Sequence, residues 1–151
     1  KGIDLLFEAI SMDKFGNIKE LNALLGKKSK ENSNHRIKVR RFVSKEELVA
    51  LFSTSDVFVL PCRFEPYGLV FIEAVRMGLP ILTTENSGLG KEFIQSGWPG
   101  EIVEPDAKSI LDGLDRIRTK QLQSIETRVK LQAELLGEFN WNNIANTIVK
   151  L

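Results

Sequence analysis

One stretch decides the fold class of this chain, and it reads Asp56-Val-Phe-Val-Leu-Pro-Cys-Arg-Phe-Glu-Pro-Tyr-Gly-Leu-Val-Phe-Ile-Glu-Ala-Val-Arg-Met-Gly-Leu-Pro-Ile-Leu-Thr-Thr84. The apolar run at residues 56–61 is typical of a strand in the middle of a parallel sheet. A turn follows, and then a helix at about residues 68–77, which ends where Gly-Leu-Pro caps it and cannot continue it. Residues 80–84 form the next buried strand. This order of strand, turn, helix and strand predicts an α/β domain with a mostly parallel sheet.

The sequence on either side continues the alternation of helices and strands. The further predicted elements are a helix carrying Ile3, Leu6, Phe7 and Ile10, a short element at residues 21–25, a strand at 36–42, a helix opened by the capping box Ser44-Lys-Glu-Glu47, a strand at 101–104, and helices at about 107–118, 121–136 and 141–151. Periodicity alone leaves the element at residues 21–25 open between strand and helix.

The composition is that of one soluble globular domain. The chain has 151 residues, of which 42% are hydrophobic and 27% are charged, and its formal net charge is +1. This charge gives no general attraction to nucleic acid. No apolar run reaches the roughly 20 residues that a membrane helix needs. The single cysteine, Cys62, cannot form an internal disulfide, which fits a reducing, cytoplasmic location.

Basic and apolar residues alternate in the predicted strand at residues 36–42. Ile37 and Val39 share one face, and Arg36, Lys38 and Arg40 share the other. A strand covered on both faces would not alternate in this way, so we expect it at an edge of the sheet with a solvated basic face. The alternative is that this basic face binds phosphate.

The helix at residues 68–77 is apolar nearly all round except for Glu73. We therefore expect Glu73 to be a buried carboxylate, which requires partners because burying an unpaired charge is costly. Hydroxyl groups of a ligand would satisfy it. An ion pair with Arg76 or Arg63 would satisfy it equally well, and spacing alone leaves both readings open.

The start of the same helix has the geometry of an anion site. The helix follows a buried strand through a turn containing Pro66 and Gly68, so its free N–H groups lie beyond the carboxyl edge of the sheet, where ligands bind in open α/β folds. Residues 83–90 bring a second polar loop to that edge. On its own, this second loop is equally well explained as a plain connection.

The quoted stretch resembles the hallmark of glycosyltransferase family 4. That pattern is a glutamate, Pro-Phe-Gly-Leu or similar, and a second glutamate eight positions after the first; Glu65 and Glu73 occupy the two positions. Further matches are the Lys1-Gly2 helix start, Gly26 after a strand, the helix at 44–52, and Phe139-Asn-Trp141 before the last helix. The match at Gly26 favours a strand at residues 21–25.

The resemblance implies that residues 1–151 are the C-terminal, nucleotide-sugar-binding half of a glycosyltransferase B fold. Such a half is a Rossmann-like three-layer domain with a mostly parallel sheet. The N-terminal acceptor domain and the first strand would then precede Lys1. Because that strand lies in the middle of the family's sheet, we expect a gap between two groups of strands.

The resemblance also assigns roles to residues. Glu65 is the candidate catalytic residue and would bind hydroxyls of the donor sugar, while Glu73 would bind the ribose. The amides around Tyr67, Gly68 and Leu69 would hold the diphosphate with help from Lys1. Ser87 and Gly88 match a loop near the donor. No Asp-x-Asp pair occurs in the sequence, so we expect no metal and no cofactor besides the donor substrate, with retention of anomeric configuration.

The function implied is transfer of a sugar from a nucleotide-diphosphate sugar to a carbohydrate or lipid-linked acceptor, as in polysaccharide assembly. The acceptor would bind through the missing domain, where peripheral membrane association would also reside, and the isolated chain would be inactive. The alternative is a sugar-nucleotide-binding module without catalysis. Related epimerases share the architecture without a strong claim on this glutamate pair. A nicotinamide-binding domain is disfavoured, because no Gly-x-Gly-x-x-Gly follows a strand.

Overall fold

The computed structural model describes residues 2–24, 34–41, 43–120 and 125–138. In chain order the elements are α1 (Ile3–Met12), β1 (Leu21–Leu24), β2 (Ile37–Arg40), α2 (Lys45–Ser53), β3 (Phe58–Leu60), α3 (Val70–Arg76), β4 (Ile81–Thr84), α4 (Gly88–Gln95), β5 (Gly100–Val103), α5 (Ala107–Thr119) and α6 (Ile125–Glu138). The predictions for Lys1, Gly26, Phe139-Asn-Trp141 and the helix at 141–151 lie outside the described residues.

All described strands pair in parallel, as predicted. β1 pairs with β2, and the remaining strands form a second sheet in the order β3-β4-β5. β4 lies in the middle of that sheet and all four of its residues are buried. The element at residues 21–25 is confirmed as a strand, and β2 is confirmed at an edge, since among the described strands it pairs only with β1.

Helices cover both faces of the β3-β4-β5 sheet, which gives the predicted three layers. On one face, α1 and α5 pack Leu6 and Ile110 against Leu82 of β4. On the other face, α2, α3, α4 and α6 build a larger core, in which Phe71 and Phe93 are fully buried. The strands alternate between these two cores, as the two-residue period of a strand requires.

A cleft of about 1240 Å³ separates the two groups of strands. Its walls include residues of β1, of β3 and of the position just before β3, among them Leu21, Ala23, Val57 and Val59. The described strands therefore do not form one continuous sheet, and the predicted gap is confirmed. As a consequence β3 lies at the edge of its group and not in the middle of a sheet.

The basic face of β2 is only partly solvated: Lys38 is exposed as predicted, whereas the side chain of Arg36 is 17% exposed. Arg36 donates to the carboxylate of Asp13 at 2.8 Å and to the carbonyl of Ile10 at 2.6 Å. Lys38 pairs with Glu20 at 2.5 Å. The prediction failed for Arg36 because its partners precede β2 by many residues and reach it only through the fold. Arg36 thus connects the end of α1 to β2. Because its guanidinium group is already bonded to protein oxygens, it is not available for phosphate, which disfavours the phosphate-binding alternative.

Candidate functional site

The start of α1 lies against the carboxyl end of β3. Gly2 has φ 71°, and a Cβ added there would lie 1.7 Å from the carbonyl oxygen of Pro61, so no larger residue fits. Arg63 donates to both oxygens of Asp4 at 2.9 and 2.6 Å. This hydrogen-bonded pair outweighs slight burial and lowers the pKa of Asp4 to about 2. The contacts bring Gly2 to the carboxyl edge of the sheet, called the rim below, where the stretch containing Glu65 begins.

Two loops at that rim are joined through their backbones. The N–H of Glu65 donates to the carbonyl of Asn86 at 3.0 Å, and the N–H of Gly88 donates to the carbonyl of Glu65 at 2.8 Å. A Cβ on Gly88 would lie 2.0 Å from the carbonyl oxygen of Pro66. The loop after β3 and the loop after β4 therefore form one unit, which sequence alone did not predict.

The second loop continues directly into a helix, α4, that the sequence did not reveal. Two glycines, Gly88 and Gly90, lie in its first turn and conceal the helical pattern. A Cβ on Gly90 would lie 2.5 Å from the ring of Phe71. Gly88 was predicted to bind the donor, but its N–H is already donated to the first loop. Because it has no side chain, Gly88 allows the two loops to approach each other closely.

Glu73 is exposed, so the prediction of a buried carboxylate is wrong. The reason is the phase of α3: Phe71, Ala74 and Val75 take the buried face, which leaves Glu73 on the opposite one. The ion-pair alternative is also not observed. Among the described residues, Glu73 forms no salt bridge, and Arg63 is paired with Asp4.

The turn before α3 presents unpaired backbone groups. Gly68 has φ 68°, and a Cβ there would lie 2.7 Å from the ring of Phe71. Its carbonyl accepts from the N–H of Phe71, but within the described part of the chain the N–H groups of Gly68 and Leu69 meet no backbone acceptor. The side chains of Tyr67 and Leu69 are 72% and 67% exposed, so these two residues offer apolar surface as well as backbone groups.

Glu65 and Ser87 face each other across the joined loops. Glu65 is half-buried and borders the end of the cleft. Ser87 is 2% exposed and occupies the N-cap position of α4, yet its hydroxyl makes no capping bond and, among the described residues, finds no hydrogen-bond partner. A buried hydroxyl without a partner is costly, so Ser87 is suited to bind a polar group that arrives with a ligand.

Two further side chains at the rim were not singled out from sequence. Phe64 is 76% exposed beside Glu65, and Lys91 pairs with Glu85 one helical turn after Ser87. Cys62 is fully buried, which confirms it as a small packed residue. In the ranges that the structure describes, no cluster of three His, Cys, Asp or Glu side chains could hold a metal ion. None of the described helices is long and apolar enough to cross a bilayer.

Comparison with known structures shows that the chain has one half of the glycosyltransferase B fold. The chain superposes on sucrose-phosphate synthase from Thermosynechococcus elongatus with a TM-score of 0.76 at 24% sequence identity. The match covers 99% of this chain and 41% of that one. The Rossmann-like α/β architecture and its place in this fold class are thereby established.

The sequence comparison then identifies the family. The family model for glycosyl transferases group 1 matches residues 1–134, and the chain belongs to that family. It is similar to glycogen synthase of Mycobacterium tuberculosis, at 31% identity over 126 residues, covering 78% of this chain and 29% of that protein. It is also similar to D-inositol 3-phosphate glycosyltransferase of Corynebacterium urealyticum, at 29% identity, covering 70% of this chain and 25% of that protein. The chain thus spans less than a third of the length of these curated relatives.

Proposed function

We propose that the chain is the donor-binding, C-terminal half of a longer glycosyltransferase. That enzyme transfers a sugar from a nucleotide-diphosphate sugar to a carbohydrate or lipid-linked acceptor. The proposal is carried by one observation: the loops after β3 and β4 are joined backbone to backbone at the carboxyl edge of the sheet, beside the start of α1. This edge is where open α/β folds bind their ligands.

The diphosphate would lie over the turn before α3. The N–H groups of Gly68 and Leu69 point to no backbone acceptor in the described chain, and the helix dipole favours an anion beside them. Lys1, which precedes the tightly packed Gly2, would add a positive charge. When the bond between sugar and phosphate breaks, negative charge develops on the departing diphosphate, and these groups would stabilise it without reorganising.

The two glutamates would hold the hydroxyl-bearing parts of the donor. Glu65 would contact the sugar as the catalytic residue, with the unpartnered hydroxyl of Ser87 close by on the joined loop. Glu73 would bind the ribose hydroxyls. Its exposure supports this role better than a structural one, because the side chain is accessible and unpaired in the described structure.

We propose further that transfer retains the anomeric configuration and proceeds without a metal ion. The backbone N–H groups and Lys1 would supply the charge stabilisation that a metal would otherwise give. We also place the enzyme in the cytoplasm, since its single cysteine is free and buried, with peripheral attachment to a membrane through the acceptor half.

The cleft between β1 and β3 supports a longer protein. Both strands present an edge to the cleft, and an extended segment preceding Lys1 would pair with both and cover their apolar side chains. The acceptor domain would precede that strand. The chain alone would then bind a donor without transferring its sugar, which is the behaviour of the alternative, a non-catalytic binding module.

Replacing Glu65 tests the assignment of the sugar contact. In the longer protein, we expect Glu65→Ala to weaken binding of the preferred nucleotide-diphosphate sugar about tenfold, as loss of hydrogen bonds to a charged group implies, while the free nucleoside diphosphate binds as before. Titration calorimetry measures both affinities. The control is Glu104→Ala, since Glu104 is an exposed carboxylate after β5 at the same edge. Equal loss of both affinities would remove the role given to Glu65.

A further inference from the structure

The pairing between β3 and β4 is interrupted just before the motif. Main-chain pairing runs as far as Leu60 and Thr83, and it resumes at Glu65 and Ser87. Between these points the chain turns, so that the N–H of Cys62 donates back to the carbonyl of Leu60 at 2.9 Å and does not continue the ladder to β4. The segment that leads to Glu65 therefore lacks ladder hydrogen bonds where it leaves the sheet.

Two buried threonine hydroxyls lie beside this interruption, and one of them bridges it. Thr83 donates to the carbonyl of Leu60 at 3.0 Å, inside the strand. Thr84 donates to the carbonyl of Cys62, which is already in the loop, and its hydroxyl lies 3.6 Å from the sulfur of the same residue. Both threonines are fully buried, and successive strand residues face opposite sides of the sheet. Each hydroxyl thus donates to a backbone carbonyl, but the Thr83 acceptor lies in β3 and the Thr84 acceptor lies in the loop after it.

We propose that Thr84 is a positioning residue for Glu65. Its hydroxyl fixes the carbonyl of Cys62 and so sets the path of the three-residue step to Glu65, taking the place of the ladder bond to β4 that the N–H of Cys62 does not make. The next fixed point is the backbone pairing of Glu65 with the second loop. The inference rests on the proposed function, because it assumes that Glu65 contacts the donor sugar.

The two adjacent threonines should therefore have different roles: Thr84 positions the loop, and Thr83 makes a bond within the strand. Without the Thr84 hydroxyl, the carbonyl of Cys62 loses its side-chain partner and the loop can shift relative to β4. Small displacements of a positioned group cost much of its contribution to the reaction. Loss of the Thr83 hydroxyl changes only a bond within the strand, which the β3–β4 ladder continues to hold in register.

The test compares Thr84→Val with Thr84→Ser and with the matched control Thr83→Val in the longer protein. The probes are uridine, guanosine and adenosine diphosphate glucose and the corresponding nucleoside diphosphates, each titrated by calorimetry. We expect Thr84→Val to weaken binding of the sugar-bearing probe about tenfold and that of the nucleoside diphosphate less than twofold. Thr84→Ser should restore the ratio of the two affinities, and Thr83→Val should leave it unchanged even if it lowers stability.

Two results would overturn the inference: an unchanged ratio of affinities in Thr84→Val, or an equal change in Thr83→Val. If Thr84→Val does not fold, Thr84→Ala against Thr84→Ser isolates the same hydroxyl, and equal ratios in that pair overturn the inference too. If the unmodified protein binds none of the probes, the proposed function fails first, so the two failures are distinguishable.

Discussion

Among single residues, Gly88 allows the loops after β3 and β4 to form hydrogen bonds between their backbones. A methyl group there would lie 2.0 Å from the carbonyl oxygen of Pro66. We expect Gly88→Ala to lower the free energy of unfolding by about 2 kcal/mol, because overpacking forces the backbone to move. Urea denaturation measures this. The control is Gly137→Ala, where the added Cβ meets nothing within 4 Å and should be neutral or stabilising. Equal effects of both changes would show that the loops tolerate separation.

Asp13 makes stability depend on pH. Burial raises the pKa of its carboxyl group, but hydrogen bonds from the backbone of Ile18 and Asn17 and from Arg36 outweigh burial and hold the pKa below its ordinary value of 3.8. The depressed pKa means that the carboxylate's contribution is fully present above pH 3.8 and is lost as the pH falls through the folded-state value. This sign predicts steeper acid unfolding below about pH 4.

Replacing Asp13 should remove that acid dependence. We expect Asp13→Asn to lower the free energy of unfolding at pH 7 by about 3 kcal/mol, because Arg36 would remain without its buried partner. The slope of stability against pH should also flatten below pH 4. Chemical denaturation at several pH values measures both. An exposed carboxylate, Asp112, gives the control in Asp112→Asn, which should change neither quantity appreciably. An unchanged acid slope in Asp13→Asn would contradict the assignment.

At the scale of elements, α6 holds the end of the short helix that carries Glu73. Gln132 donates to the carbonyls of Val75 and Arg76 at 2.5 and 2.9 Å, and Arg128 donates to the carbonyl of Gly78 at 3.3 Å. These side chains satisfy carbonyl groups that a helix end leaves unpaired. α3 has only seven residues, so its order depends on such contacts.

We expect Gln132→Ala to loosen α3 specifically. The loss of two side-chain hydrogen bonds should cost about 1 to 2 kcal/mol and should raise amide hydrogen exchange in α3 more than in α5. Hydrogen exchange followed by mass spectrometry resolves the two helices. Lys130→Ala is the matched control, because Lys130 lies on the same helix and is largely exposed. A uniform rise across the chain would show that α6 stabilises the whole domain and not α3.

Elements with local signals were predictable from the sequence. The capping box is formed as expected, with Ser44 accepting from the N–H of Glu47 at 3.1 Å and the Glu47 carboxylate accepting in return. The apolar sequence of β4 predicted a buried strand, and all four of its residues are buried. Helix α4 was not predictable, because Gly88 and Gly90 serve tertiary contacts with Pro66 and Phe71 that no local pattern records.

The candidate site was also predictable only in part. The sequence indicated that two loops meet at the carboxyl edge, since each follows a parallel strand. It did not indicate that the backbone of Glu65 donates to Asn86 and accepts from Gly88, or that the hydroxyl of Ser87 is left buried without a partner in the described part of the chain. The exposure of Glu73 was mispredicted, because apolar content along α3 does not define which single position escapes the core.

For the whole molecule, the main structural feature is the gap between the two groups of strands. If an upstream strand fills it, the edges of β1 and β3 should be hydrogen-bonded in the longer protein. We expect amide exchange in Leu21–Leu24 and Phe58–Leu60 to be slower there than in the 151-residue chain alone. β4–β5 pairing provides the internal control, since it is already formed in this chain and should not change. Equal exchange at β1 and β3 in the two proteins would argue against a strand in the cleft.

The claim that this rim binds a nucleotide-diphosphate sugar is tested most directly by calorimetric titration of the longer protein. The ligands are uridine, guanosine and adenosine diphosphate sugars, and the variants are Glu73→Ala and, as a control on the same exposed helix face, Arg76→Ala. We expect at least one donor to bind and Glu73→Ala to weaken it about tenfold without lowering the free energy of unfolding. Binding of no donor, or a Glu73→Ala variant that changes stability alone, would contradict a donor site at this rim.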